Sequence, residues 1–160
     1  MTEASITISI SEQTLELAEG GRAVSRYSVS TSRFGAGEQS GSLRTPRGRH
    51  RIRLKIGAGC PVGTVFVGRR ATGEIYTEAL GRANPDRDWI LTRILWLSGQ
   101  EPGINRYGTV DTLRRYIYIH GMPDSEACGV PGSIGCIRMR NADLVDLFDR
   151  VTIGTPVLVV

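Results

Sequence analysis

Tyr116-Ile117-Tyr118-Ile119-His120-Gly121 and, further on, Ser133-Ile134-Gly135-Cys136-Ile137-Arg138-Met139 decide how this chain reads. The first stretch, with Arg115 before it, alternates aromatic and β-branched residues. It predicts a strand over Arg115–Ile119 that delivers His120 at its C-terminal end. In the second, Cys136 follows a glycine that permits a tight bend and close approach of backbone to a substrate. Ile137 and Met139 read as core-facing, which turns Arg138 to the same side as Cys136. A cysteine reacts as its thiolate, and a free thiol near pKa 8.5 is mostly protonated at neutral pH, so a neighbouring imidazole is the natural acceptor of its proton. Amides around Gly135 and Cys136 would then face a developing oxyanion. These residues point to acyl transfer through a thiolate, against the alternative of a buried structural thiol. Arg138 would offer a fork for a substrate carboxylate, or else form a surface ion pair.

Outward from this pair, the pattern is mostly that of strands. Ile6, Ile8 and Ile10 alternate with polar residues, and Leu15 and Leu17 resume after a turn at Ser11-Glu12-Gln13. A turn at Glu19-Gly20-Gly21 precedes a strand through Ala23, Tyr27 and Val29, which makes the opening a β-meander. Residues 34–49 predict a long loop closed by Thr45-Pro46-Arg47-Gly48. Ile52, Leu54 and Ile56 alternate again, and Gly57-Ala58-Gly59 ends that strand. Shorter strands follow at Val62–Val67 and Gly73–Tyr76, with a turn over Arg69–Thr72. Trp89–Leu97 fits both a helix face and a twisted strand, and strand is the assignment taken. Residues 98–113 predict a loop lining a site. After Cys136, Asn141 is the expected cap of a helix with Asp143 in its first turn and Leu144, Leu147 and Phe148 on one face. Gly154-Thr155-Pro156 leads to a last strand at Val157–Val160. The expectation is one mainly β domain over residues 1–160 with a single helix.

Composition narrows the partners. Nineteen of the twenty basic residues are arginine, Lys55 being the exception, and the net charge is +4. Arg44, Arg47, Arg49, Arg51 and Arg53, with His50, form a basic run suited to phosphates. No zinc-finger spacing, recognition helix or RNA-binding aromatic motif accompanies it, so it is read as the solvent face of a strand and no nucleic-acid partner is expected. Residues 1–20 carry Glu3, Glu12 and Glu16 and lack a leader's apolar stretch. No run is long enough to insert in a membrane. A cytoplasmic setting is therefore expected, and three cysteines suit it. His50, His120, Cys128 and Cys136 are a conceivable metal set, but no CxxC or HxxxH pair supports it, and no metal or organic cofactor is expected. Cys128 fills an apolar niche or resolves an oxidised Cys136. Cys60 opens a turn with Pro61 and carries no functional signal.

The two opening stretches, with Thr45-Pro46-Arg47-Gly48, Asn105, the approach from Asp111 to Gly121, and Gly154-Thr155-Pro156-Val157, resemble the YkuD-type L,D-transpeptidase catalytic domain along essentially the whole chain. That resemblance implies a mainly β sandwich or mixed β fold and cleavage of the L,D peptide bond of peptidoglycan stem tetrapeptides. It further implies Cys136 as nucleophile, His120 as base, and the Gly121 carbonyl as the group that orients the imidazole. Ser133, Gly135 and Cys136 would shape the turn and oxyanion site. Arg138 would hold a substrate carboxylate or order the pocket, and Tyr118 and Trp96 would form walls. Where the family commonly has Ser-His-Gly-Cys, this chain has Ile134 before Gly135, which removes a polar group beside the nucleophile. With no leader segment, the chain resembles the members that act as L,D-carboxypeptidases on recycled muropeptides, with water as acceptor. The alternatives are an L,D-transpeptidase using an amine acceptor, a non-catalytic muropeptide sensor, and an anion-binding structural protein.

Overall fold

The computed structural model describes residues 3–160. Its first three strands are the predicted meander: β1 (Ala4–Ser9), β2 (Thr14–Glu19) and β3 (Arg22–Ser30), paired antiparallel in chain order. Ile6, Ile8, Leu15, Leu17 and Val29 turn to one side and are almost fully buried. A long loop leads to β4 (Gly48–Ile56). There Arg49, Arg51 and Arg53 face solvent while His50 and Ile52 point inward, the strand-face arrangement expected of the basic run.

A hairpin follows, β5 (Thr64–Val67) and β6 (Arg70–Ile75). Its turn is tighter than predicted. Gly68 and Arg69 both take positive φ, 55° and 65°, so two residues close the hairpin and the second strand begins at Arg70, not Gly73. A short helix, α1 (Glu78–Ala83), was not anticipated. It buries none of its residues, contains Gly81, and is held at its start by the Thr77 side chain accepting from Leu80 N–H. Trp89–Leu97 resolves as strand: β7 runs Ile90–Gly99.

The predicted strand at Arg115–Ile119 starts later, as β8 (Tyr118–Gly121), because Tyr116 adopts a positive φ of 56° and ends a turn there. Then come β9 (Ile137–Met139), α2 (Asn141–Arg150) and β10 (Pro156–Val159). Asn141 does not cap α2. The cap position is Arg140, without a side-chain cap bond. The Asn141 amide is instead buried, donating to the Met122 carbonyl and accepting from the Thr92 hydroxyl. At the other end of α2, Lys55 donates to the carbonyls of Phe148 and Val151 at 2.6 and 2.7 Å, a cation placed where the helix field favours it.

The strands pair in the order β4-β10-β1-β2-β3-β9-β8-β7, and β7 pairs back onto β4, so eight strands close a ring; β5 and β6 extend from β7. Among the strands of the described residues, β1–β10 and β8–β9 are the parallel pairs. Closure leaves alternate residues on two faces. Leu95, Leu97, Ile119, Ile137 and Met139 join the isoleucines of β1 and Leu144, Leu147 and Phe148 of α2 in the main core. Each such side chain, fully withdrawn from water, contributes roughly 1.5–3 kcal/mol. Ile94, Trp96, Tyr118 and Cys136 belong to a separate cluster with Phe66. That second cluster holds the chemistry.

Candidate active site

The parallel β8–β9 pair sets the geometry. His120 is in register with Arg138, and Ile119 with Ile137. Strand alternation therefore places Tyr118 and His120 on one face, with Cys136 and Arg138 beside them. The Tyr118 N–H donates to the Cys136 sulfur at 3.3 Å, and the thiol donates to the Tyr116 carbonyl at 3.3 Å.

His120 is almost completely buried. Its Nδ1 lies 2.6 Å from the Gly121 carbonyl. A carbonyl only accepts, so Nδ1 carries the hydrogen and the lone pair is on Nε2. That Nε2 is buried with no hydrogen-bond partner among the described residues. Burial lowers the imidazole pKa to about 4, against the opposing influence of Asp88. Burial likewise pushes the Cys136 thiol up to about 12, although the Tyr118 N–H favours the thiolate. At rest the two groups are not hydrogen-bonded to each other: the sulfur engages the Tyr116 carbonyl and the Tyr118 N–H, and Nε2 engages nothing among the described residues. Gly121 permits this crowding: a Cβ there would collide with Asn141 Oδ1 and the Leu91 carbonyl.

The turn before Cys136 is tied from inside. The Ser133 hydroxyl donates to the Cys136 carbonyl at 2.5 Å and accepts from Gly135 N–H at 3.2 Å. The Gly135 amide, expected to face an oxyanion, is therefore engaged within the turn. Gly135 has a φ of 135°, a region that disfavours other residues, and its carbonyl accepts from the Thr45 hydroxyl at 2.9 Å. Thr45 belongs to the predicted Thr45-Pro46-Arg47-Gly48 motif, whose part in this site is to hold the cysteine turn. Arg115 fastens the same loop by donating to the carbonyls of Gly37, Glu38 and Arg44.

Arg138 is not open as a carboxylate fork. It pairs with Asp88 and Glu126, each at 3.1 Å. Of the two roles expected for it, ordering the surroundings is the one this contact set serves. Beside it lies a cleft of about 590 Å³ whose lining includes Arg33, Asp88, Glu126, Ile134 and Arg138. Ile134 is partly exposed along that lining and offers an apolar surface. Tyr118 and Trp96 are brought together, their rings 5.8 Å apart and perpendicular. Arg69 lies across Trp96 at 4.8 Å and Tyr116 at 4.9 Å and donates to the Tyr118 hydroxyl at 3.1 Å. Sequence reasoning missed Arg69, Arg115, Asp88 and Glu126, because each reaches the site from a different part of the chain.

The remaining candidates lie elsewhere. His50 is buried between the Gly48 carbonyl and the Thr112 hydroxyl. Cys128 donates to the Ser28 carbonyl at 3.4 Å. Among the described residues no group of three or more histidine, cysteine, aspartate or glutamate side chains is gathered to hold a metal, and no helix is long and apolar enough to cross a membrane. Ser98, Gly99, Gln100, Arg106 and Asp111 of the 98–113 segment border a different cleft, of about 330 Å³, with Arg51 and Arg53; beyond the segment, Tyr116 reaches Cys136.

A thiol on a backbone amide, with a histidine of fixed tautomer on the same strand face, is an arrangement that a cysteine acyltransferase or peptidase would use. The chain belongs to the L,D-transpeptidase catalytic domain family, YkuD, whose model matches residues 3–159. Among curated proteins no sequence matches. Solved structures similar to it include L,D-transpeptidase 3 from Mycobacterium tuberculosis, with TM-score 0.61 and 18% identity, covering 99% of this chain and 61% of that one. An L,D-transpeptidase from Mycobacterium smegmatis gives TM-score 0.59 and 18% identity, with 99% and 59% covered. One from Xylanimonas cellulosilytica gives 0.57 and 21%, with 99% and 61% covered. The chain thus spans about three-fifths of the length of these three structures, and at such identities the likeness is one of fold.

Proposed function

We propose that this domain cleaves the L,D peptide bond of peptidoglycan stem tetrapeptides and releases the terminal D-alanine, with Cys136 as nucleophile and His120 as base. The observation that carries this function is the state of the pair: a thiol held by the Tyr118 amide, and a histidine whose only free lone pair is buried on the same strand face. Family membership supports the bond type and the substrate class.

The sulfur must first turn its proton from the Tyr116 carbonyl to His120 Nε2. His120 Nε2 takes that proton as the sulfur attacks the substrate carbonyl. The sulfur–carbon bond forms, the carbon–nitrogen bond breaks, and the imidazolium returns the proton to the departing amine of D-alanine. Water then gives a proton to His120 and attacks the thioester, restoring the thiol. The Gly121 carbonyl bound to Nδ1 stabilises the imidazolium throughout. The Gly135 amide is occupied by Ser133 and the Tyr118 amide by the sulfur, so the Cys136 N–H is, of the amides expected there, the one left to receive the oxyanion.

Water is the proposed acceptor because hydrolysis requires only a small molecule to reach a half-buried sulfur that the Tyr116 carbonyl and the Tyr118 N–H already engage. Incubation with purified tetrapeptide, with and without a diamino acceptor, tests this by mass spectrometry. Tripeptide and D-alanine in both samples are expected. A cross-linked or exchanged product would assign transpeptidation instead, and unchanged substrate would favour a sensor. The protein carrying Cys136→Ala is the control.

A further inference from the structure

The proposed substrate ends in a carboxylate, and Arg138, the arginine sequence reasoning assigned to it, is already paired with Asp88 and Glu126. The other arginines around the cysteine differ sharply in what they still offer. Arg115 spends its fork on three loop carbonyls. Arg33 stacks on Phe34 and lines a cleft in which Asp86, Asp88 and Glu126 balance the charges of Arg33, Arg87 and Arg138. Arg69 has no carboxylate within ion-pair distance among the described residues, and its one hydrogen bond is from Nη1 to the Tyr118 hydroxyl.

Its placement is just as particular. The two-residue turn of the β5–β6 hairpin puts Arg69 at positive φ, and its guanidinium lies over the rings of both Trp96 and Tyr116. Those rings fix the plane of the fork and leave an edge of N–H groups unfilled. Both tyrosines it touches also touch the sulfur, Tyr116 through its carbonyl and Tyr118 through its amide. An arginine held rigid, unneutralised and linked through two residues to the nucleophile is suited to a planar anion on the substrate.

We propose that Arg69 binds the terminal carboxylate of the substrate and so confines cleavage to peptides with a free C-terminus. This rests on the function proposed above, with Trp96 and Tyr116 as positioning residues for the guanidinium.

The test measures binding apart from turnover, in protein carrying Cys136→Ala. Calorimetry compares the tetrapeptide as free acid with the same peptide as C-terminal amide. The free acid is expected to bind roughly 10- to 100-fold tighter, the range for a hydrogen bond to a charged group. Adding Arg69→Gln should bring that ratio close to one, and Arg69→Lys, which keeps charge without the fork, should leave an intermediate ratio. Equal binding of acid and amide by the parent, no binding of either, or a ratio that survives Arg69→Gln overturns the proposal. Thermal unfolding of each variant shows that the hairpin is intact. Turnover by the cysteine-containing protein is followed in parallel. An acid-over-amide preference that depends on Arg69 in a protein without turnover supports the carboxylate site and refutes the catalytic function; turnover with a preference indifferent to Arg69 does the reverse.

Discussion

Ile119 and Tyr118 are neighbours on one short strand and belong to two different regions of the molecule. Ile119 enters a core of aliphatic, aromatic and methionine side chains, together with Leu95, Leu97, Ile137 and Met139. Tyr118 enters the outer cluster with Trp96 and Cys136, beside a histidine nitrogen and an arginine nitrogen that are buried without partners among the described residues. The same strands supply both. In the core, alternation yields stability through burial alone. On the outer face the same backbone rigidity holds groups that would be costly to bury in any flexible setting. Changes on the two faces should therefore separate activity from stability.

The largest expected effect is on the outer face. Cys136→Ala should reduce product formation by roughly 10⁴-fold or more while shifting the melting temperature by only a few degrees. Progress curves by mass spectrometry and a thermal melt measure the two sides. His120→Gln should cost about 10²–10⁴-fold, the range for a lost general base, again with the fold retained. If either variant unfolds, the division between the faces fails.

Ile119→Ala reverses the pattern. Removing that methyl-rich side chain from the core should cost about 2–5 kcal/mol in urea unfolding, with kcat per folded molecule within a few-fold of the parent. A large loss of kcat without destabilisation would show that the two faces are not separable.

The last effect is graded with pH. Burial lowers both His50 and His120 to about 4, whereas the unfolded chain binds those protons near 6.5. Their contribution is whole above pH 6.5 and is lost as pH falls from 6.5 toward 4, because the unfolded state takes up protons first. Each histidine accounts for about 3 kcal/mol over that window. Urea titrations at several pH values should show the decline, and His50→Gln should remove roughly half of it without altering the pH profile of kcat.

Sequence patterning reveals the two regions unequally. Ile6, Ile8, Leu15 and Leu17 announce the core because period-two alternation is written locally, and His120 and Cys136 stand out for their chemistry. The β8–β9 register that unites them was not legible, since parallel pairing depends on what residues 122–136 do between the strands. Asn141 looked like a cap because asparagine favours that position, but the buried Thr92 hydroxyl and Met122 carbonyl claim its amide. Arg138 could be read as a substrate fork or as a surface ion pair, and its partners, Glu126 and Asp88, lie too far off, 12 and 50 positions away, for the sequence to choose. Helix α1 gave no signal at all, being short, glycine-bearing and unburied.

The central claim is that the sulfur of Cys136 takes the acyl group. Rapid quenching of enzyme with tetrapeptide, followed by digestion and mass spectrometry, tests it most directly. A thioester carrying the tripeptide acyl group should appear on the fragment that contains Cys136, at the expense of free D-alanine's parent peptide. The same acyl group on another residue, or full turnover by the Cys136→Ala protein, would contradict it.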